Sequence, residues 1–116
     1  MPLYAAGAAP SIQPGQSVLV SASSLGTTLK TQAVAVAPSP GTSDVRLTVT
    51  NLSGVTLTVQ YAPPGYDADA NYQAYSDEVN AVTVGANKAV SFYSNAGFFR
   101  MLAASDPGTA NIIISR

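Results

Sequence analysis

Apolar residues in this 116-residue chain recur at every second position, and no stretch of useful length repeats them at the helical spacing of 3.6. The clearest run is Asp44–Asn51, where Val45, Leu47 and Val49 point one way while Arg46, Thr48 and Thr50 point the other. Val55, Leu57, Val59 and Tyr61 repeat the pattern against Thr56, Thr58 and Gln60. A side chain flips face at each step along a strand, so this period reads as strands with one dry and one wet face. Gly, Pro and Asn clusters interrupt the runs about every ten residues. The chain is therefore expected to be all-β, an antiparallel β-sandwich of about eight strands, Ig-like or jelly-roll-like.

Two hairpins are expected. The first joins Asp44–Asn51 to Val55–Tyr61 through Asn51-Leu52-Ser53-Gly54, with a Thr ladder on its outer face. The second joins Glu78–Val84 to Lys88–Tyr93 through Gly85-Ala86-Asn87, with Val82 and Val84 facing Val90 and Phe92. Ser17–Ser21, Thr28–Ala37, Phe98–Ala103 and Thr109–Ser115 supply the remaining strands; the second of these shifts phase midway, as a bulge would.

Residues 1–16 are different. Pro2, Pro10 and Pro14, with Gly7 and Gly15, oppose both helix and ladder. They are expected to form a frayed terminus or, in the more specific reading, an extended N-terminal arm on a single domain, residues 17–116, with Leu3, Tyr4 and Ile12 as the side chains the arm would bury against a neighbour.

Only 9% of the residues are charged, against about a quarter in an average soluble domain. Net charge is −1, mean hydropathy is +0.20, and the polar surface must be built largely from Ser and Thr. Five scattered cations make no patch for nucleic acid or for an anionic membrane. Without Cys or His, disulfides, thiolate chemistry and imidazole acid–base schemes are all excluded. No apolar run approaches the roughly 20 residues of a membrane helix. The N-terminus lacks a basic start and apolar stretch, so the expectation is synthesis in a cytoplasm without export by the general route.

The last two strands carry more apolar surface than one core needs. Phe98 and Leu102 alternate with Phe99, Met101 and Ala103, with Arg100 among them, and Ile112-Ile113-Ile114 points apolar groups both ways. Phe98, Phe99, Arg100, Met101, Ile112, Ile113 and Ile114 are thus candidate interface residues in a homo-oligomer or larger assembly. Arg100, if desolvated, needs a carboxylate, and Asp77, Glu78 and Asp106 are the candidates.

The stretch from Tyr66 to Glu78 is the chemically dense loop. Asp67, Asp69 and Asn71, with Glu78 twelve positions into the count, match half of a calcium-loop spacing, but Tyr72 stands where the sharp turn requires Gly. A solvated acidic loop is the simpler reading, and no metal or other cofactor is expected. Tyr66, Tyr72 and Tyr75 beside these acceptors would also suit a sugar platform, or protein contact. Catalysis has little to work with: Asp67/Asp69 and Asp77/Glu78 share one loop, Asp44 and Asp106 are the outside carboxylates, and no Ser-x-x-Lys or phosphate loop exists. No catalytic residue is assigned. Asn51-Leu52-Ser53 is a glycosylation sequon inside a tight turn and is set aside.

A low-charge β-domain without Cys or His, with a Pro/Ala/Gly arm and segments such as Val45-Arg46-Leu47-Thr48-Val49-Thr50-Asn51 and Gly97-Phe98-Phe99-Arg100-Met101-Leu102, resembles the capsid decoration (cement) proteins of tailed bacteriophages. The resemblance implies a non-enzymatic protein on the outer surface of a virion, made in the host cytoplasm. It implies a homo-oligomer, with a trimer favoured, that clamps neighbouring copies of the major capsid protein. The alternative is a carbohydrate-binding or host-attachment module working through Tyr66, Tyr72, Tyr75, Asp67 and Asp69.

Overall fold

The computed structural model describes residues 11–19, 30–31, 33–37, 45–66, 68–77, 80–94, 96–105 and 112–116. Among them are twelve strands: β1 (Ser11–Ile12), β2 (Ser17–Leu19), β3 (Val34–Val36), β4 (Val45–Asn51), β5 (Leu57–Ala62), β6 (Gln73–Ala74), β7 (Ser76–Asp77), β8 (Asn80–Ala81), β9 (Thr83–Val84), β10 (Lys88–Ser94), β11 (Gly97–Ala103) and β12 (Ile112–Ser115). One sheet runs β1-β3-β11-β5-β6, with β9 also on β5; the other runs β10-β4-β12-β2; β7 and β8 form a small hairpin. All pairings are antiparallel except β1 with β3. The fold is an all-β antiparallel sandwich, as the alternation predicts.

Nine strand positions make up the sandwich, with β6 and β9 sharing one of them. β6 and β9 lie end to end along one edge of β5, Gln73 and Ala74 opposite Tyr61 and Gln60, Thr83 and Val84 opposite Thr58 and Leu57. Between them, the Val59 N–H donates to Val82 O (2.9 Å), the Tyr75 N–H donates to Val59 O (2.8 Å), and the Val82 N–H donates to Tyr75 O (2.7 Å). The β7–β8 hairpin is thus an insertion into one strand. With that strand counted once, the chain alternates sheets at almost every step, which is the winding of a jelly roll and not of the Ig fold.

This winding corrects both expected hairpins. β4 and β5 lie in opposite sheets, as do β9 and β10. The inward residues are those the period marks, since Val45, Leu47, Val49, Leu57 and Val59 all sit at 0–1% exposure in one core. They meet through side chains across the sandwich, and their backbones pair elsewhere. Val82 and Val84 likewise share the core with Val90 and Phe92 without pairing to β10.

Asn51 makes the first crossing possible. Its side chain is fully buried, and Nδ2 donates to Val55 O (2.8 Å), Val84 O (3.1 Å) and Gly85 O (3.1 Å). Its Oδ1 accepts from the Ser53 N–H (2.9 Å) and Ser53 Oγ (2.5 Å). One amide therefore ties both arches, 51–57 and 84–88, at the same end of the sandwich. The sequon asparagine is sealed inside the fold.

The core centres on Phe99, whose ring packs against Tyr61, Tyr75 and Phe92 at centroid distances of 5.2–5.8 Å. Tyr61 donates its hydroxyl to Ala96 O (2.8 Å), and burial, reinforced by Tyr75, pushes its phenol pKa up. Gly97, at φ +156, lies directly beneath the Tyr61 ring, and a Cβ there would also meet Ala62 O at 2.7 Å.

Part of the expected arm belongs to the domain. Ile12 is fully buried in the chain's own core, a correction to its expected contact with a neighbour. Behind it, the Gly15 N–H donates to Arg116 O and the Arg116 N–H to Gln16 O, both at 2.9 Å. Leu3 and Tyr4 lie outside the described residues.

Candidate interaction surface

The two outer faces of the sandwich differ in kind. On the β3-β11-β5 sheet, Phe98, Arg100 and Gln60 point outward, and the chain after β5 folds back over them. A 3-10 turn at Asp69–Asn71 presents the Asp69 carboxylate to Arg100, whose Nη1 donates to Oδ1 at 2.6 Å. Arg100 Nε donates to Gln60 Oε1 (2.8 Å), Nη2 reaches Asp69 O (3.4 Å), and the guanidinium lies 3.9 Å from the Tyr72 ring centroid. Lys30 Nζ joins from the other side, 3.2 and 3.3 Å from the two Asp69 oxygens. Arg100 is 2% exposed, and Tyr72 is buried against Ala33, Ala62 and Phe98.

This arrangement corrects several expectations. The partner of Arg100 is Asp69. Glu78 and Asp106 lie outside the described residues, as does the side chain of Asp77. Neither Tyr72 nor Tyr75 is a free stacking platform, because Tyr72 is laid under Arg100 and Tyr75 packs inward on Tyr61, Phe92 and Phe99. Tyr66 is 64% exposed, Asn71 sits in the 3-10 turn, and Asp67 lies outside the described residues. Asp69 is held by two cations, and hydrogen bonds from Arg100 and then Lys30 pull its pKa below the ordinary 3.8. Among the described residues no cluster of three or more metal-ligating side chains occurs.

The interface expectation narrows in the same way. Phe99, Met101, Ile112 and Ile114 are at 0% exposure in the core and offer nothing to a partner. Alternation places only Phe98, Arg100 and Ile113 on outer faces, and the loop covers Arg100.

The β10-β4-β12-β2 sheet has no such cover among the described residues. Registered rows cross its outer face: Leu19, Ile113, Thr50 and Ala89 in one; Ser17, Ser115, Thr48 and Ser91 in the next; Arg46 and Tyr93 at the end. Ser17 Oγ and Ser115 Oγ share a hydrogen bond at 2.9 Å, as do Thr48 Oγ1 and Ser91 Oγ at 2.7 Å. Leu19 and Tyr93 are 59% and 65% exposed. In these rows Arg46 is the one charge, and it lies 5.5 Å from the Tyr93 ring centroid. Such a face carries little charge, and two pairs of its hydroxyls already bond each other, so it loses little hydration when another neutral surface covers it. The Thr half of this face was legible in the alternation of β4, and the outward place of Tyr93 follows from the inward Val90 and Phe92; Leu19 was missed because Ser17–Ser21 is too short a run to assign its faces.

Compared with known proteins, the chain matches no family model, no curated sequence and no solved structure.

Proposed function

We propose that this protein is a non-enzymatic structural component of a virion, a decoration protein that binds the outer capsid surface across major capsid subunits. The observation that carries the reading is the contrast between the two outer faces: one is partly covered by the chain's own Arg100–Asp69 latch, the other presents rows that carry one charge, Arg46, and the exposed Leu19 and Tyr93. A surface with one charge suits permanent protein contact better than life in dilute solution. The jelly-roll winding, the small charge and the absence of Cys and His support the same resemblance. Binding alone would be the mechanism, since each copy that bridges a joint between subunits raises the free energy of pulling them apart. The sugar-site alternative loses Tyr72 and Tyr75 to packing and keeps only Tyr66 exposed.

The test is co-sedimentation with shells assembled from the major capsid protein encoded alongside this chain. Saturable binding is expected, and Leu19→Glu combined with Tyr93→Glu is expected to abolish it while leaving the circular dichroism spectrum unchanged. No binding by the unaltered chain would remove the reading.

A further inference from the structure

Strand edges in this sandwich are unequally protected. β1 is two residues long, β2 is described over three, and the edge formed by β6 and β9 is broken by the β7–β8 hairpin. Short or interrupted edges are how natural sheets avoid pairing with other chains. Among the described residues β10 is the exception. It runs seven residues, ends its sheet, and between Ala89 and Ser94 carries no charge, proline or glycine. The Tyr93 carbonyl accepts from the Tyr75 hydroxyl (2.8 Å), and because β10 is the last described strand of its sheet, every second residue along it turns its backbone polar groups away from β4. Beside this edge lies a cleft of about 240 Å³ lined by Ala81, Val82, Thr83, Val90, Ser91 and Phe92, with Val90 and Phe92 only half-buried.

We infer that β10 pairs with β10 of a second copy of this chain, antiparallel about a two-fold axis at Ser91. The strand is self-complementary in that register. Ser91 meets Ser91 of the partner subunit, Tyr93 lies opposite Ala89 of the partner subunit, and Lys88 lies opposite Ser94 of the partner subunit. The two lysines therefore stand at opposite ends of the joint, about 20 Å apart at strand rise, and do not repel. The Tyr93 carbonyl keeps its bond from Tyr75 and accepts the new one on its second lone pair. Val90 and Phe92 of each copy close the cleft of the other.

Area supplies the second reason. At strand spacing, the 21 described residues of β10, β4, β12 and β2 make a face of about 340 Å² in plan. A standard stable interface needs about 800 Å² per partner. One outer face falls well short of that, and two faces joined into an eight-stranded sheet come close to it. The inference thus rests on the decoration reading for its purpose, and on the β10 edge for its geometry.

The experiment is solution mass of the full chain by light scattering and sedimentation at micromolar concentrations. Twice the 11.8 kDa chain mass is expected. Ser91→Lys and Ser91→Glu each place like charges face to face across the axis, and each is expected to weaken dimerisation at least tenfold while keeping the monomer's thermal transition. Mixing the two variants is expected to restore a dimer, as a one-to-one heterodimer. A monomeric wild type, a closed trimer, or dimers unaffected by both charges would overturn the inference. If a monomer or trimer still co-sediments with shells, the decoration reading stands and only this joint falls.

Discussion

Asp69 holds Arg100 at 2.6 Å from 31 residues away in sequence, and this ion pair, with Lys30 on the same carboxylate, closes the loop after β5 over the sheet. The guanidinium is almost wholly buried, whereas the carboxylate side chain retains 30% of its exposure. The pair is therefore asymmetric: water can reach the anion, but Arg100 has only Asp69, Gln60 and the Tyr72 ring in place of solvent.

Removing the anion should cost more than removing both charges. Asp69→Ala leaves a buried cation with only an amide and a ring, and is expected to lose about 3 kcal/mol in urea unfolding, the low end for a broken buried pair because Asp69 is partly solvated. Arg100→Met in the same chain should recover most of that loss. A double-mutant cycle measures the difference, and additive losses would contradict this account of the latch.

Acid should open the same latch. The folded pKa of Asp69 lies below its ordinary 3.8, so its contribution to stability is full above that value and is lost as pH falls through the lower, folded value. The melting temperature should drop below about pH 4, and Asp69→Asn should flatten that part of the curve. An identical acid limb in the variant would place the acid sensitivity elsewhere.

Asn51→Asp tests the arches with almost no change in shape. The amide nitrogen facing three carbonyls becomes an oxygen, and a buried charge appears among acceptors. A loss of about 3 kcal/mol or more is expected, with β4 and β5 exchanging amide protons faster. Asn51→Ala should cost less than Asn51→Asp.

Gly97→Ala should destabilise for two reasons at one site. A positive φ of 156 disfavours a side chain, and the added methyl would overlap the Tyr61 ring and approach Ala62 O at 2.7 Å. A loss of about 2 kcal/mol is expected, with the Tyr61 hydroxyl withdrawn from Ala96 O. Normal stability would mean that the ring can move aside freely.

Which residues face inward was legible along the regular strands, because alternation reports burial directly: Val45, Leu47, Val49, Leu57 and Val59 are all core. Which strands pair was not. A four-residue turn can close a hairpin or cross a sandwich, and the difference lies in one side chain, Asn51, whose five hydrogen bonds reach residues as far away as Gly85. Arg100 was readable as a charge in need of a partner, but the identity of that partner depended on how the loop folds back. Ile12 looked like part of an arm because prolines surround it; its pairing through β1 with β3 is non-local, and no local pattern announces it.

The central claim is that the neutral outer face of β10-β4-β12-β2 binds a protein shell and stabilises it. The most direct measurement is the thermal transition of major capsid shells, by calorimetry, with and without saturating chain. The account predicts a higher transition with the chain bound, and none of that rise with the Leu19→Glu, Tyr93→Glu variant. A transition that stays in place when the chain is present, or a rise that survives the variant, would contradict it.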